Sequence, residues 1–250
     1  MLEAVIFDVD GTLADTEEAH RRAFNETFEA FGLPWHWDFE TYRELLRIGG
    51  GKERLHHFVA EHRPPLPEGE AVEELVRRLH RAKTERYGVL IRSGEVALRP
   101  GVRRLIEEAG AEGLRLAVAT TTSPENVDAL LATHLGPDWA RRFAFVAAGE
   151  CVPRKKPASD VYHHVLDRLG LPPSACIALE DSANGVASAR GAGVPVVVTV
   201  TAYTEADRFD GACAVLSDLG EPDAPCHVLA GEGPAAGHVT VADLRRWVGG

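Results

Sequence analysis

The chain lacks any apolar run approaching the ~20 residues of a bilayer-spanning helix, so a membrane-spanning helix is not expected. Its start, Met1-Leu2-Glu3, has none of the basic residues that open a signal peptide, and no such leader is expected. The four cysteines, at 151, 176, 213 and 226, form no CxxC pair and have no histidine cluster beside them. That excludes a disulfide framework and a zinc site as readings, and leaves reduced thiols in a cytoplasmic protein. Positive charge is scarce too: 27 Lys and Arg stand against 38 Asp and Glu, a formal net charge of −11. A nucleic-acid-binding face needs a basic stripe, so nucleic acid is not an expected partner. A small anionic substrate stays compatible, provided cations are concentrated locally. No internal repeat or low-complexity segment is evident, and a monomer is expected.

What is present reads as two kinds of pattern. Leu2 to Phe7 is a short apolar run of the kind a buried parallel strand shows. Residues 15–97 are then helical throughout. Asp15 with Glu18 reads as a capping box, and Ala19, Ala23, Phe24, Phe28 and Phe31 follow at helical spacing. Further helices are expected after Asp38, from Lys52 to His62, and along Val72 to Leu90. From Arg99-Pro100-Gly101 the rhythm changes. Strand candidates at 114–119, 143–148, 175–179, 194–198 and 212–216 alternate with helices starting near Pro100, Pro124, Ala158 and Asn184. Such alternation predicts an α/β fold, a doubly wound parallel sheet. The sheet domain is residues 1–14 plus 98–250, and 15–97 is an inserted all-helical cap over the strand ends, where open α/β sheets bind ligands. Residues 220–237, rich in Gly, Pro and Ala, give no clear pattern, and a last helix is expected over Val241 to Val248.

Chemistry-bearing residues sit at the strand ends. Asp8-Val9-Asp10-Gly11-Thr12 follows the first strand, and alternation sends Asp8 and Asp10 the same way while Val9 turns to the core. Two carboxylates so close repel unless a cation or a shared proton relieves them. Thr120-Thr121-Thr122-Ser123 offers hydroxyls and backbone N–H groups before a helix, a phosphate cradle or simply a helix cap. Lys155-Lys156-Pro157 offers an ammonium group, and Glu180-Asp181-Ser182 a second acid pair. Acids from two strand ends could close one magnesium site, since hard divalent cations prefer carboxylate oxygens. Each stretch alone has a plain reading as a solvated turn or a cap. Together, each following its own strand or opening a helix, they predict one centre at one sheet edge. Gly49-Gly50-Gly51-Lys52 is not a nucleotide loop, because Glu53 stands where a Ser or Thr is required and no strand precedes it.

Asp8-Val9-Asp10-Gly11-Thr12, Thr120, Lys156-Pro157 and Glu180-Asp181 resemble the four motifs of the haloacid dehalogenase (HAD) superfamily of phosphohydrolases. Glu180-Asp181-Ser182 with Gly185, Ala189, Gly191 and Gly193 resembles the subgroup of β-phosphoglucomutase and phosphoglycolate phosphatase. Longer stretches match more narrowly. Thr16-Glu17-Glu18, His20 to Phe28, Tyr42 to Leu46, Gly50 to Arg54 and His80 to Arg86 resemble the CbbY-type phosphatases of the Calvin cycle, which hydrolyse xylulose 1,5-bisphosphate. Arg47-Ile48-Gly49 departs from that pattern, which has small hydroxyl residues before the glycines.

The resemblance implies a HAD-like fold and a phosphatase with Asp8 as nucleophile and Asp10 as acid and base. It implies Mg²⁺ held by the Asp8 carboxylate, the Asp10 carbonyl and Asp181, with Glu180 nearby or ligating. Lys156 would offset charge on the phosphoryl group, which Thr120 and the Thr121 and Thr122 N–H groups would position. The substrate would be a small phosphorylated sugar. Arg43, Arg47, Lys52, Arg54 and Lys83 are the candidates for a second phosphate, Glu17, His20 and Tyr42 for sugar hydroxyls, and Gly50 and Gly51 are further substrate-binding candidates. A mutase of the β-phosphoglucomutase kind, a phosphoglycolate phosphatase and a phosphoacceptor signalling domain remain rival readings.

Overall fold

The computed structural model describes residues 1–249. Six parallel strands, β1 (Ala4–Phe7), β2 (Arg115–Ala119), β3 (Phe145–Ala147), β4 (Cys176–Glu180), β5 (Val196–Thr199) and β6 (Ala214–Leu216), run in the order β3-β2-β1-β4-β5-β6. A seventh, β7 (Val228–Gly231), is antiparallel and closes the edge beside β6. The sequence pattern misses β7: all four of its residues are exposed, so no alternation marks it.

The inner strands are apolar over Ala4–Phe7, Leu116–Ala119, Cys176–Leu179 and Val196–Val198 because helices cover both faces. Val5, Phe7, Leu116, Val118, Ile177 and Leu179 point to one side, where α5 (Val102–Ala111), α6 (Pro124–Leu135) and α9 (Val241–Gly249) bury their apolar stripes. Ile6, Ala117, Ala119, Ala178, Val196 and Val198 point to the other, against α7 (Asp160–Leu169) and α8 (Ala183–Gly191). No helix among the described residues is long and apolar enough to cross a membrane. All four cysteines are free.

Between β1 and α5 the chain forms α1 (Glu17–Ala30), α2 (Phe39–Leu45), α3 (Gly51–His62) and α4 (Val72–Arg92). This helical insert has its own aromatic cluster. Trp37 is fully buried there, with ring centroids 4.5 Å from Phe24, 5.0 Å from Phe28 and 5.3 Å from Phe58. Trp37→Ala would leave a cavity that four helices cannot collapse into, and is expected to destabilise the insert by about 3 kcal/mol. A urea titration followed by circular dichroism checks this, and an unchanged midpoint would remove Trp37 as the organising side chain.

Asp38 caps α2 as its sequence suggests, its carboxylate accepting from the Thr41 N–H at 2.8 Å. Asp15 does not cap α1. Thr16 occupies that position and makes no side-chain cap bond, because its hydroxyl is turned to Asp10.

Candidate active site

Asp8 is the first residue past β1, and its N–H still donates to Leu179 O at 3.0 Å, which locks the strand end against β4. Val9 is fully buried, as alternation requires. Gly11 has φ +77°, and a Cβ there would lie 2.1 Å from Asp181 Oδ2. Glycine at this position therefore supplies both the backbone turn and the room for a carboxylate. Because β4 pairs with β1 in register, Glu180 and Asp181 emerge beside Asp8, and the three carboxylates offer oxygens within 4.8 Å of one another.

Lys156 lies between them, its Nζ donating to Asp8 Oδ1 at 2.7 Å and to Glu180 Oε1 at 2.6 Å. Tyr162 OH donates to the same Glu180 oxygen. Burial pushes the Asp8 carboxyl up to about 7, with Lys156 opposing and Glu180 reinforcing the rise. Burial, then the Asp8 and Glu180 charges, raises Asp181 well above the ordinary carboxylate range. Burial alone would lower Lys156, but the Asp8 and Glu180 charges outweigh it and raise it above its usual value. Ionised, three carboxylates facing one ammonium leave an excess of negative charge, and Glu180 Oε2 is buried without a partner. All donors are hard oxygens. This set can hold a divalent cation such as magnesium.

Asp10 projects into a different network. Its Oδ1 accepts from the Thr16 hydroxyl at 2.6 Å and from His20 Nε2 at 3.0 Å, and its Oδ2 accepts from the Thr122 hydroxyl. Burial would raise its carboxyl, but His20 and the two hydroxyls outweigh that and hold it well below the usual range. His20 stacks on Tyr87 at 3.9 Å and meets Lys83 Nζ through Nδ1. Burial brings Lys83 down to about 7.

At the end of β2, Thr120 is buried behind the cavity wall, its hydroxyl accepting from the Thr122 N–H at 3.2 Å. Thr121 and Thr122 line the cavity itself. Ser123 caps α6, accepting from the Asn126 N–H, so the hydroxyl run caps a helix and presents its first turn to the cavity together.

The cavity joins the two halves of the molecule. Asp8, Asp10, Lys156 and Asp181 line it from the sheet side, and Glu17, His20, Gly50, Gly51, Arg54 and Lys83 from the insert. Tyr42 lies behind that wall, fully buried, donating to Glu17 Oε2 at 2.7 Å and accepting from Arg54 Nη1 at 3.0 Å. Three candidate cations are elsewhere. Lys52 pairs with Glu150 at 2.8 Å on the rim, Arg43 pairs with Glu40 at 2.6 Å on the surface, and Arg47 is exposed. His80, Asn126, Asn184 and Thr204 line the cavity without having been singled out from sequence. For His80 a signal existed, since it stands three residues before Lys83 and so shares its helix face. Burial first, then the Lys83 charge, lowers its imidazole to about 4.

Residues 2–193 match the family model of haloacid dehalogenase-like hydrolases. The plasmid-encoded protein CbbY of Cupriavidus necator is 50% identical over 250 residues, covering 98% of this chain and 96% of that one. Protein CbbY of Rhodobacter capsulatus is 54% identical over 218 residues, 87% of this chain and 94% of that one. The crystal structure of a mutant CbbY from Rhodobacter sphaeroides in complex with xylulose-(1,5)bisphosphate is 48% identical, with a TM-score of 0.82 over 87% of this chain and 95% of that one. The chain belongs to the haloacid dehalogenase-like hydrolases, as a phosphatase of the CbbY type.

Proposed function

We propose that this protein is a magnesium-dependent sugar-bisphosphate phosphatase that hydrolyses xylulose 1,5-bisphosphate to xylulose 5-phosphate and phosphate. The observation that carries this reading is the facing of two unlike walls across one cavity. Asp8, Asp181 and Lys156 stand on one side, and the cationic Arg54 on the other, with Lys83, whose ammonium form a bound anion would favour, beside it. A monophosphate ester needs only the first wall, whereas a second phosphate has a use for the other. The bisphosphate held by the Rhodobacter sphaeroides relative supports the same choice.

In this reading residues 1–14 and 98–250 are the catalytic domain, and 15–97 is a cap that shuts over it. An Asp8 carboxylate oxygen attacks phosphorus, forming an aspartyl-phosphate as the bond to the sugar oxygen breaks. Asp10 gives a proton to that oxygen, then takes one from the water that cleaves the acyl-phosphate. The charge of the bound phosphate beside Asp10 raises its proton affinity for the first step, while Thr16, His20 and Thr122 hold the ionised form for the second. Lys156, held between Asp8 and Glu180, opposes the charge on the phosphoryl oxygens. The Thr121 and Thr122 turn and the first turn of α6 position those oxygens. Asp8, the Asp10 backbone carbonyl and Asp181, with Glu180 beside them, would hold magnesium, which would supply the charge neutralisation that lets one anion approach another. Glu17 and His20 orient the sugar. The free thiols suit a soluble cytoplasmic enzyme.

Inorganic phosphate release from xylulose 1,5-bisphosphate, phosphoglycolate and β-glucose 1-phosphate, with magnesium, tests the proposal. The bisphosphate is expected to be preferred. Conversion of β-glucose 1-phosphate to its 6-phosphate without release would make the protein a mutase instead. Lys52→Ala serves as a second arm. If Lys52 leaves Glu150 for a bound second phosphate, KM for the bisphosphate rises about fivefold and that for a monophosphate does not. Equal effects on both would leave Lys52 as a rim ion pair only.

A further inference from the structure

We propose that Tyr203, on the loop after β5, is a positioning residue that seats the helical insert and aligns Tyr42, Glu17 and Arg54 for the sugar. The proposal rests on the bisphosphatase reading above for its substrate. Among the described residues, Tyr203 is the one member of the insert's aromatic cluster that comes from outside residues 24–79. It is 6% exposed. Its ring stacks on Phe39 at 4.4 Å and meets Tyr42 edge-on at 5.7 Å, both arrangements that aromatic quadrupoles favour. Its hydroxyl donates to Glu18 Oε2 at 2.7 Å.

The loop that carries this ring is stiff. Thr201 N donates to Thr204 Oγ1 at 2.9 Å, and Tyr203 N to Thr201 Oγ1 at 3.2 Å. Arg99 fixes the loop's base, donating to Thr199 O at 2.9 Å and Val200 O at 2.6 Å. The same guanidinium donates to Gly11 O, and Arg99 N donates to Leu13 O at 2.9 Å. One side chain thus ties the Tyr203 loop to the turn after Asp8 and to the crossing where the chain returns from the insert.

Besides the largely buried Asp10–His20 pair at the reacting centre, the other charged links between the halves, Lys52 to Glu150 and Lys155 to Glu53, involve partly exposed side chains. Pairs of that kind contribute little and weaken with salt. A buried ring is a better anchor. Tyr203 touches Tyr42, and Tyr42 holds both Glu17 and Arg54, so the peg and the sugar-facing wall form one packed series. Losing the ring frees Tyr42 to shift, and small misplacements of binding groups are costly.

The experiment compares Tyr203→Ala and Tyr203→Phe in the full chain with magnesium, on xylulose 1,5-bisphosphate and on p-nitrophenyl phosphate. The second substrate has neither sugar hydroxyls nor a second phosphate, and so does not use Glu17 or Arg54. Tyr203→Ala is expected to raise KM for the bisphosphate about tenfold while changing p-nitrophenyl phosphate kinetics less than about threefold. Tyr203→Phe keeps the ring and is expected to restore the bisphosphate KM to within about threefold of wild type. An unchanged bisphosphate KM in Tyr203→Ala, or equal losses on both substrates, overturns the proposal. Should the wild-type chain fail on the bisphosphate, the substrate reading falls and hydrogen exchange over residues 38–55, with magnesium and inorganic phosphate, decides. Faster exchange in the alanine variant than in the phenylalanine variant supports the peg, and equal exchange overturns it.

Discussion

Asp8→Asn is expected to lower phosphate release by a factor on the order of 10⁴ or more while the protein stays folded. The amide has nearly the shape of the carboxylate but cannot attack phosphorus as an anion, so no aspartyl-phosphate forms. The fold should tolerate the change because Asp8 is a strained member of its cluster. Burial raises its carboxyl to about 7, which means the charged form is disfavoured where it stands. Lys156 would not be orphaned, since Glu180 still accepts from it at 2.6 Å. Stability equal to or above wild type is therefore expected near neutral pH, measured as the thermal midpoint. Turnover near the wild-type rate would remove Asp8 as nucleophile, whatever the midpoint did.

The centre around Asp8 is legible in the sequence because residue type and position coincide there. Asp8, Asp10, Lys156, Glu180 and Asp181 each stand at a strand end or a helix start, and the parallel pairing of β1 with β4 brings two of those ends together. The apolar runs that predict the strands are long enough to survive small boundary errors. What the sequence does not display are partnerships made only by tertiary packing. Tyr162, 18 residues before Glu180, reads as an ordinary core aromatic until its hydroxyl is seen on that carboxylate. Arg99 reads as a helix-start signal, and its four carbonyl partners come from Gly11, Thr199, Val200 and Ser217.

Helical cations are hard to place for a related reason. Arg43, Lys52 and Arg54 all fall within 12 residues, and only the packing of α2 against α3 decides which one faces the cavity. Arg54 does, because its guanidinium is drawn inward by Tyr42 OH and by Leu45 O at 3.1 Å. Thr16 shows a competition that local rules cannot settle. Its hydroxyl could serve α1 as a cap, and it serves Asp10 instead, a charged acceptor that rewards the bond more.

Withdrawal of magnesium with a chelator is expected to reduce turnover to background, and the same titration should show in stability without any assay of activity. Asp8 and Asp181 have carboxyls raised above their unfolded values by burial first, then by the Glu180 charge on Asp8 and by the Asp8 and Glu180 charges on Asp181. A raised carboxyl binds its proton more tightly in the folded chain, so its contribution is full below pH 4 and is lost as pH climbs through the folded value. For Asp8 that window runs from about pH 4 to about pH 7. The chelated protein should therefore lose thermal stability across this range. Magnesium competes with those protons, so its stabilising effect should be small at pH 5 and grow toward pH 7.5. At a hundredfold excess over its dissociation constant it amounts to about 2.7 kcal/mol, several degrees in the midpoint for a chain of this size. Asp181→Asn should shrink that shift, because the amide withdraws an anionic ligand without disturbing Lys156. A midpoint shift that is the same at both pH values, or that survives Asp181→Asn in full, would place the ion somewhere other than among these three acids.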